Sequence, residues 1–167
     1  RLKSSEVNRR RLLLLGTAFS FVHLLDELVK RDLCFQLPSG SRVLETGGYK
    51  GRSRELPKAE LHQLITERLG VARSQIICEY GMSELSSQAY ETMSGAGSQV
   101  SGEVSRITHH ASRCFHFPPW ARVQIISAET GREVTDGETG LIRVFDLANV
   151  FSVMAIQTED LAVRRGE

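Results

Sequence analysis

A chain of 167 residues with 41% hydrophobic and 25% charged side chains is one ordinary globular domain's worth of sequence, long enough to bury a core. Its 21 Lys plus Arg against 20 Asp plus Glu leave a formal net charge of +1, so there is no electrostatic reason to expect nucleic acid or an anionic membrane as partner. The apolar run from Leu12 to Leu15 is far short of the roughly 20 residues that span a bilayer, and three scattered cysteines, Cys34, Cys78 and Cys114, make no disulfide framework, which together predict a soluble chain in a reduced, cytoplasmic compartment.

The basic residues up to Arg11 give way to Leu12-Leu13-Leu14-Leu15-Gly16, which reads as a short buried strand. From Ser20, the apolar positions Phe21, Val22, Leu24, Leu25, Leu28 and Val29 follow helical spacing, with His23, Asp26, Glu27 and Lys30 on the opposite face. Beyond the turn Leu37-Pro38-Ser39-Gly40, the stretch Arg42-Val43-Leu44-Glu45-Thr46 reads as a second strand stopped by Gly47-Gly48. Pro57 suits a first helical turn, Leu61, Leu64, Ile65 and Leu69 form a stripe, and Gly70 supplies the stop. Gln75-Ile76-Ile77-Cys78 is a third apolar run. Strand, helix, strand, helix, strand is the rhythm of a parallel sheet with crossover helices.

After Tyr90 the character changes. Residues 91–112 are rich in Ser, Gly and Thr and read as a loop. From Trp120 the period shortens, through Arg122-Val123-Gln124-Ile125-Ile126 and Leu141-Ile142-Arg143-Val144-Phe145, with turns at Glu129-Thr130-Gly131 and Asp136 to Gly140. The predicted fold class is α/β: a partial parallel sheet over 1–112, followed by a partial β-rich subdomain over 113–167.

Ligands of open α/β sheets bind beyond the carboxyl ends of the strands, where loops converge and backbone N–H groups are free. Two segments fall there: Gly47-Gly48, and Glu79-Tyr80-Gly81-Met82-Ser83-Glu84. Bare backbone at the glycines accommodates a flat ligand, a tyrosine offers a stacking face, a serine a phosphate donor, and a carboxylate a ligand for a hard divalent cation. On local pattern alone the plainer reading carries more weight: the glycines just end strands, and Tyr80 packs in the core.

A resemblance weighs on that choice. Tyr80-Gly81-Met82-Ser83-Glu84 resembles the Tyr-Gly-x-Thr/Ser-Glu motif of the adenylate-forming enzymes, Gly137-Glu138-Thr139-Gly140-Leu141 their Gly-Glu-x-Gly turn, and Thr158-Glu159-Asp160 their Thr/Ser-Gly-Asp motif. Gly16-Thr17-Ala18-Phe19-Ser20-Phe21, Glu45-Thr46-Gly47-Gly48-Tyr49 and Pro118-Pro119-Trp120 resemble more closely the acyl-protein synthetase branch, the long-chain fatty acid–luciferin-component ligases. Glu159, in place of the usual glycine, also follows that branch. The resemblance implies an ATP-dependent ligase that converts an acyl carboxylate to acyl-adenylate and passes the acyl group to a protein thiol, with an acyl-reductase or acyl-carrier protein as partner. Carried over by position, Tyr80 stacks on adenine, Gly47, Gly48 and Gly81 border the nucleotide, and Ser83 hydrogen-bonds the α-phosphate. Glu84 holds Mg²⁺, Asp160 accepts from the ribose hydroxyls, and Gly16 to Phe21 border the acyl pocket. Ser83 and Glu84 are the implied catalytic pair. The phosphate loop, the lid lysine and the acylated cysteine of the family are not among these 167 residues, so the chain is expected to be an internal fragment that does not turn over alone. The rivals are an aryl- or acyl-CoA ligase of the phenylacetate type and a non-catalytic nucleotide-binding module.

Other groups read more plainly. Ser94-Gly95-Ala96-Gly97-Ser98 imitates a phosphate loop but lacks a lysine and a preceding strand, and His109, His110, Cys114 and His116 fit no standard zinc spacing. Cys34 and Cys78 read as small apolar residues, and His23 as a solvated one. Lys50, Arg52 and Arg54 suit either a phosphate contact or a solvated turn.

Overall fold

A computed structural model describes residues 10–49, 51, 54–93 and 113–165. Contacts within the chain define two compact units, one formed by Arg1–Tyr80 with Tyr90–Cys114 and the other by Gly81–Ala89 with Phe115–Glu167.

The first unit opens with β1 (Leu13–Thr17), α1 (Ala18–Lys30), β2 (Arg42–Thr46), α2 (Lys58–Leu69) and β3 (Ile76–Tyr80). Strand β1 pairs parallel with β2, and β2 parallel with β3. Two further strands, β4 (Ala89–Met93) and β5 (Arg113–His116), extend the sheet to the order β1-β2-β3-β4-β5. The end of β4, residues 91–93, corrects the loop reading of 91–112, and β5 lies in a stretch that sequence periodicity leaves unassigned, because short strands with polar side chains lack a pattern of their own.

Each βαβ step buries one helix stripe. Phe21, Val22, Leu25 and Leu28 of α1 and Leu61, Ile65 and Leu69 of α2 share one core with Val43 and Ile76 of the sheet. Helix α1 begins at Ala18 because the hydroxyl of Thr17 accepts from the Ser20 N–H at 3.2 Å, satisfying one of the donors that a helix start leaves open. Helix α2 ends where Gly70 turns left-handed at φ 67°, as the sequence predicts.

Three further expectations are corrected here. The leucine run is not a buried strand: Leu14 packs against the core, whereas Leu13 and Leu15 are 66% and 65% exposed, since successive strand residues face opposite sides of an edge strand. Leu24 and Val29 of α1 are exposed, on the flanks of its buried stripe. Cys34 is exposed rather than interior, in the connection after α1, where it accepts from the Arg68 guanidinium at 3.3 Å.

The second unit contains an antiparallel meander of β6 (Ala121–Ile126), β7 (Thr139–Asp146) and β8 (Ala155–Val163). The Gly-Glu-x-Gly motif opens β7 for structural reasons. Gly137 sits at φ 88°, and a Cβ on Gly140 would come within 2.5 Å of the Ile126 carbonyl oxygen. The Glu138 carboxylate closes the turn by accepting from the Thr135 N–H at 2.8 Å. Along β7 the buried positions alternate, from Gly140 through Ile142 and Val144 to Asp146, so a carboxylate takes the last inward place.

Candidate functional site at the strand ends

Parallel register decides which sequence-predicted residues meet. Thr17, Thr46 and Glu79 are partners across β1, β2 and β3, and the Thr46 hydroxyl donates to the Glu79 carboxylate at 3.3 Å. Gly47-Gly48, following Thr46, and Tyr80, the last residue of β3, are therefore neighbours at the carboxyl edge of the sheet. Tyr80 is half-buried, and both glycines are exposed. Gly47 needs to be glycine for its φ of 59°, but Gly48 has no such need, and a Cβ there would meet nothing within 4 Å among the described residues.

The chain passes from Tyr80 directly into Gly81, Met82, Ser83 and Glu84 of the second unit. Ser83 and Glu84 are exposed, and the Ser83 hydroxyl donates to the Glu84 carboxylate at 3.2 Å. A carboxylate and a hydroxyl form a hard, oxygen-only donor set, which fits Mg²⁺. Asp160 lies exposed within β8, and its N–H donates to the Thr158 hydroxyl at 3.1 Å while that hydroxyl donates to the Ile142 carbonyl. The Thr158-Glu159-Asp160 motif is thus strand, pinned to β7 through Thr158.

Sequence reasoning missed a buried polar network in the second unit, centred on Asp146 and Asn149. The Asp146 carboxylate, fully buried, accepts from the N–H groups of Ser86 at 3.0 Å and Ser87 at 2.8 Å, from the Ser87 hydroxyl at 2.9 Å and from the Ala148 N–H at 3.0 Å. Burial alone would push its pKa up. The Ser87 hydroxyl and the Ala148, Ser87 and Ser86 N–H groups outweigh that and hold it below the usual carboxylate range. Trp120 Nε1 donates to the same Ser87 hydroxyl at 2.9 Å. Asn149 donates to the Glu84 carbonyl at 2.7 Å and to the Val153 carbonyl at 2.9 Å, and accepts from the Ser86 hydroxyl at 3.2 Å. A polar residue at the last inward position of an alternating strand was the available signal for Asp146.

His62 is a second omission, in the first unit. It is fully buried on α2 and bonds through Nε2 to the Glu45 carboxylate, with Cys78 Sγ 3.5 Å from that carboxylate and 3.7 Å from Nε2. Burial, then the Glu45 charge, push the Cys78 thiol up to about 12. His62 Nε2 is occupied by Glu45, and Nδ1 lacks among the described residues the partner that orients a ligating imidazole. The cluster is a buried hydrogen-bonded group that ties α2 to β2 and β3.

The remaining candidates are placed simply. Arg54 is engaged with Asp26 at 2.8 Å, while Lys50, Arg52, Ser94 to Ser98, His109 and His110 lie outside the described residues. Cys114 is half-buried and His116 exposed on β5, and His23 is exposed with its ring edge-on to Phe19. A Cβ on Gly16 would meet the Phe21 ring at 3.3 Å. The described residues of the first unit line clefts. One of about 700 Å³ lies at the amino ends of β2 and β3, lined by Gln36, Pro38, Gly40, Val71 and Gln75. Another, of about 490 Å³, runs along Arg11, Leu13, Val43, Ile77 and Tyr90. Neither includes Gly47, Gly48 or Tyr80.

No family model matches the chain. Over 167 residues it is 26% identical to a long-chain-fatty-acid–luciferin-component ligase of Aliivibrio fischeri, covering 98% of this chain and 38% of that protein. The chain thus spans about two fifths of the length of the curated relative it matches. Among solved structures, it superposes on an ATP-bound RpMatB-BxBclM chimera with a TM-score of 0.57 at 19% identity, covering 93% of this chain and 29% of that one. McyG A-PCP complexed with phenylalanyl-adenylate gives 0.54 at 16% identity, over 92% of this chain and 28% of that one. The N-terminal subdomain of Klebsiella oxytoca NpsA gives 0.51 at 12% identity, over 92% and 38%. At these identities the structural matches establish the fold. The chain has the fold of part of an adenylate-forming domain and is similar, along nearly its whole length, to a long-chain-fatty-acid–luciferin-component ligase.

Proposed function

We propose that the chain belongs to an ATP-dependent ligase that activates a fatty acyl carboxylate as its adenylate and passes the acyl group to a protein thiol, in the cytoplasm. The observation that carries this reading is the register at the carboxyl edge: Thr46 opposite Glu79 sets Gly47-Gly48 beside Tyr80, and Tyr80 runs straight into Ser83-Glu84. Support comes from three motifs in the family's order and from similarity to a relative whose name states a long-chain fatty acid as substrate.

In this reading residues 1–112 form the α/β part and residues 113–167 the β-rich part. Tyr80 stacks on the base while Gly47, Gly48 and Gly81 lie against it with backbone. Ser83 donates to the α-phosphate, Glu84 holds Mg²⁺, and Asp160, which as an ionised carboxylate only accepts, takes the ribose hydroxyls. Mg²⁺, when bound, neutralises charge on the polyphosphate. The chain's own contribution is to position the carboxylate against phosphorus and to exclude misaligned approaches. Gly16 to Phe21, at the end of β1 and the start of α1, border the acyl pocket.

The test is ATP–pyrophosphate exchange by the full-length protein with a panel of carboxylic acids of increasing chain length. Exchange driven best by fatty acids, followed by acylation of a protein thiol, is the expected result. Consumption of coenzyme A instead assigns the chain to the phenylacetate-type ligases, and exchange with no acid leaves only a nucleotide-binding module.

A further inference from the structure

The segment that carries Ser83 and Glu84 has little regular structure of its own: no helix or strand covers residues 81–88. Something else must fix it, because catalysis by positioning fails when the donors wander. Within the second unit its backbone is held from two sides by the turn after β7. Asn149 takes the Glu84 carbonyl, and Asp146 takes the next two free N–H groups, those of Ser86 and Ser87. These are 60 and 59 positions away in sequence, and Asp146 is fully buried, so the contact is neither local nor a surface accident. Leu85 within the held segment and Ala89 just after it are buried.

The turn is itself fixed. Asn149 donates to the Val153 carbonyl, the Asp146 N–H donates to the Met154 carbonyl, and Met154 leads into β8 with Asp160. One turn therefore clamps the phosphate-side segment and starts the ribose-side strand.

We propose that Asp146, assisted by Asn149, is a positioning residue that sets the Ser83 hydroxyl and the Glu84 carboxylate in place for chemistry on the α-phosphate. This rests on the adenylate-forming reading given above. Asp146 touches no substrate. It accepts backbone N–H groups, a task that Asn performs badly because one of its two terminal atoms is a donor facing donors.

The experiment compares Asp146→Asn, Asn149→Ala and Ser87→Ala in the full-length protein by ATP–pyrophosphate exchange, with kcat normalised to folded molecules, Mg²⁺ titration and thermal midpoint. Asp146→Asn is expected to lower kcat by about tenfold to a hundredfold and to shift the Mg²⁺ midpoint upward, with KM for ATP changed by less than about threefold. Ser87→Ala deletes one hydroxyl but keeps both backbone N–H bonds, and is expected to lower the thermal midpoint while holding kcat within about threefold. Asn149→Ala carries the same test where Asp146→Asn does not fold. A kcat for Asp146→Asn and Asn149→Ala within about threefold of wild type, or a loss that tracks only folded fraction in all three variants, overturns the positioning role and leaves the adenylate reading standing. Absence of exchange in the wild-type protein with every acid removes that reading and this role with it.

Discussion

Asp160 and Glu84 carry different halves of the proposed chemistry, and their substitution separates them. Asp160→Ala leaves ribose hydroxyls without an acceptor and should weaken ATP binding by about 1–3 kcal/mol, measured by direct nucleotide titration of the full-length protein. Unchanged affinity rejects the ribose role. Glu84→Gln removes a charge without removing bulk, and should depress turnover and alter the Mg²⁺ dependence of exchange; an identical Mg²⁺ titration rejects it as the metal ligand. The cysteines are separated by burial. Cys78 is sealed beside Glu45 with its thiol pushed up to about 12, whereas Cys34 is exposed. At mildly alkaline pH, iodoacetamide should modify Cys34 and spare Cys78 until denaturant is added, as read by peptide mass. The raised Cys78 value favours the neutral thiol in the folded state, so its contribution to stability is present below about pH 9 and is lost as pH rises toward 12.

At the scale of elements, α1 and α2 differ in how they begin. Thr17 caps α1 with its hydroxyl, whereas Pro57 precedes α2 and offers no side-chain cap. Thr17→Ala should therefore cost about 1 kcal/mol in denaturant unfolding, because it orphans the Ser20 N–H. A loss below a few tenths of a kcal/mol would show that α1 is held by its core stripe alone. The β7 strand shows why an element can join a fold to a site. Its alternation buries Ile142 and Val144, and the same period delivers Asp146 to the interior end, where backbone donors replace the water it gives up.

Over a whole unit, Asp146 links segments about sixty positions apart, and linkage makes that visible in pH. Its folded-state pKa lies below the ordinary carboxylate value, so the stability it contributes is present above about pH 4 and is lost as pH falls through the lower folded value. The unfolding midpoint of the wild-type protein should exceed that of Asp146→Asn at neutral pH, and the gap should narrow below about pH 4. A gap independent of pH would mean that the carboxylate's charge contributes nothing there.

The sequence by itself determined the elements whose evidence is local. Period 3.6 marks α1 and α2, Gly70 stops α2, apolar runs mark the three parallel strands, and the motifs fix the order of the candidate site residues. Strands β4, β5 and β8 escaped, being short or polar, with pairing that comes from neighbours rather than from their own pattern. Tertiary structure alone decided which side of β1 faces inward, that His62 is buried against Glu45, and that Asp146 and Asn149 brace the Ser83-Glu84 segment. Burying a polar side chain is favourable only when its partners are present, and here the Glu45, Ser86 and Glu84 partners lie 17 to 65 positions away, where no local pattern can register them.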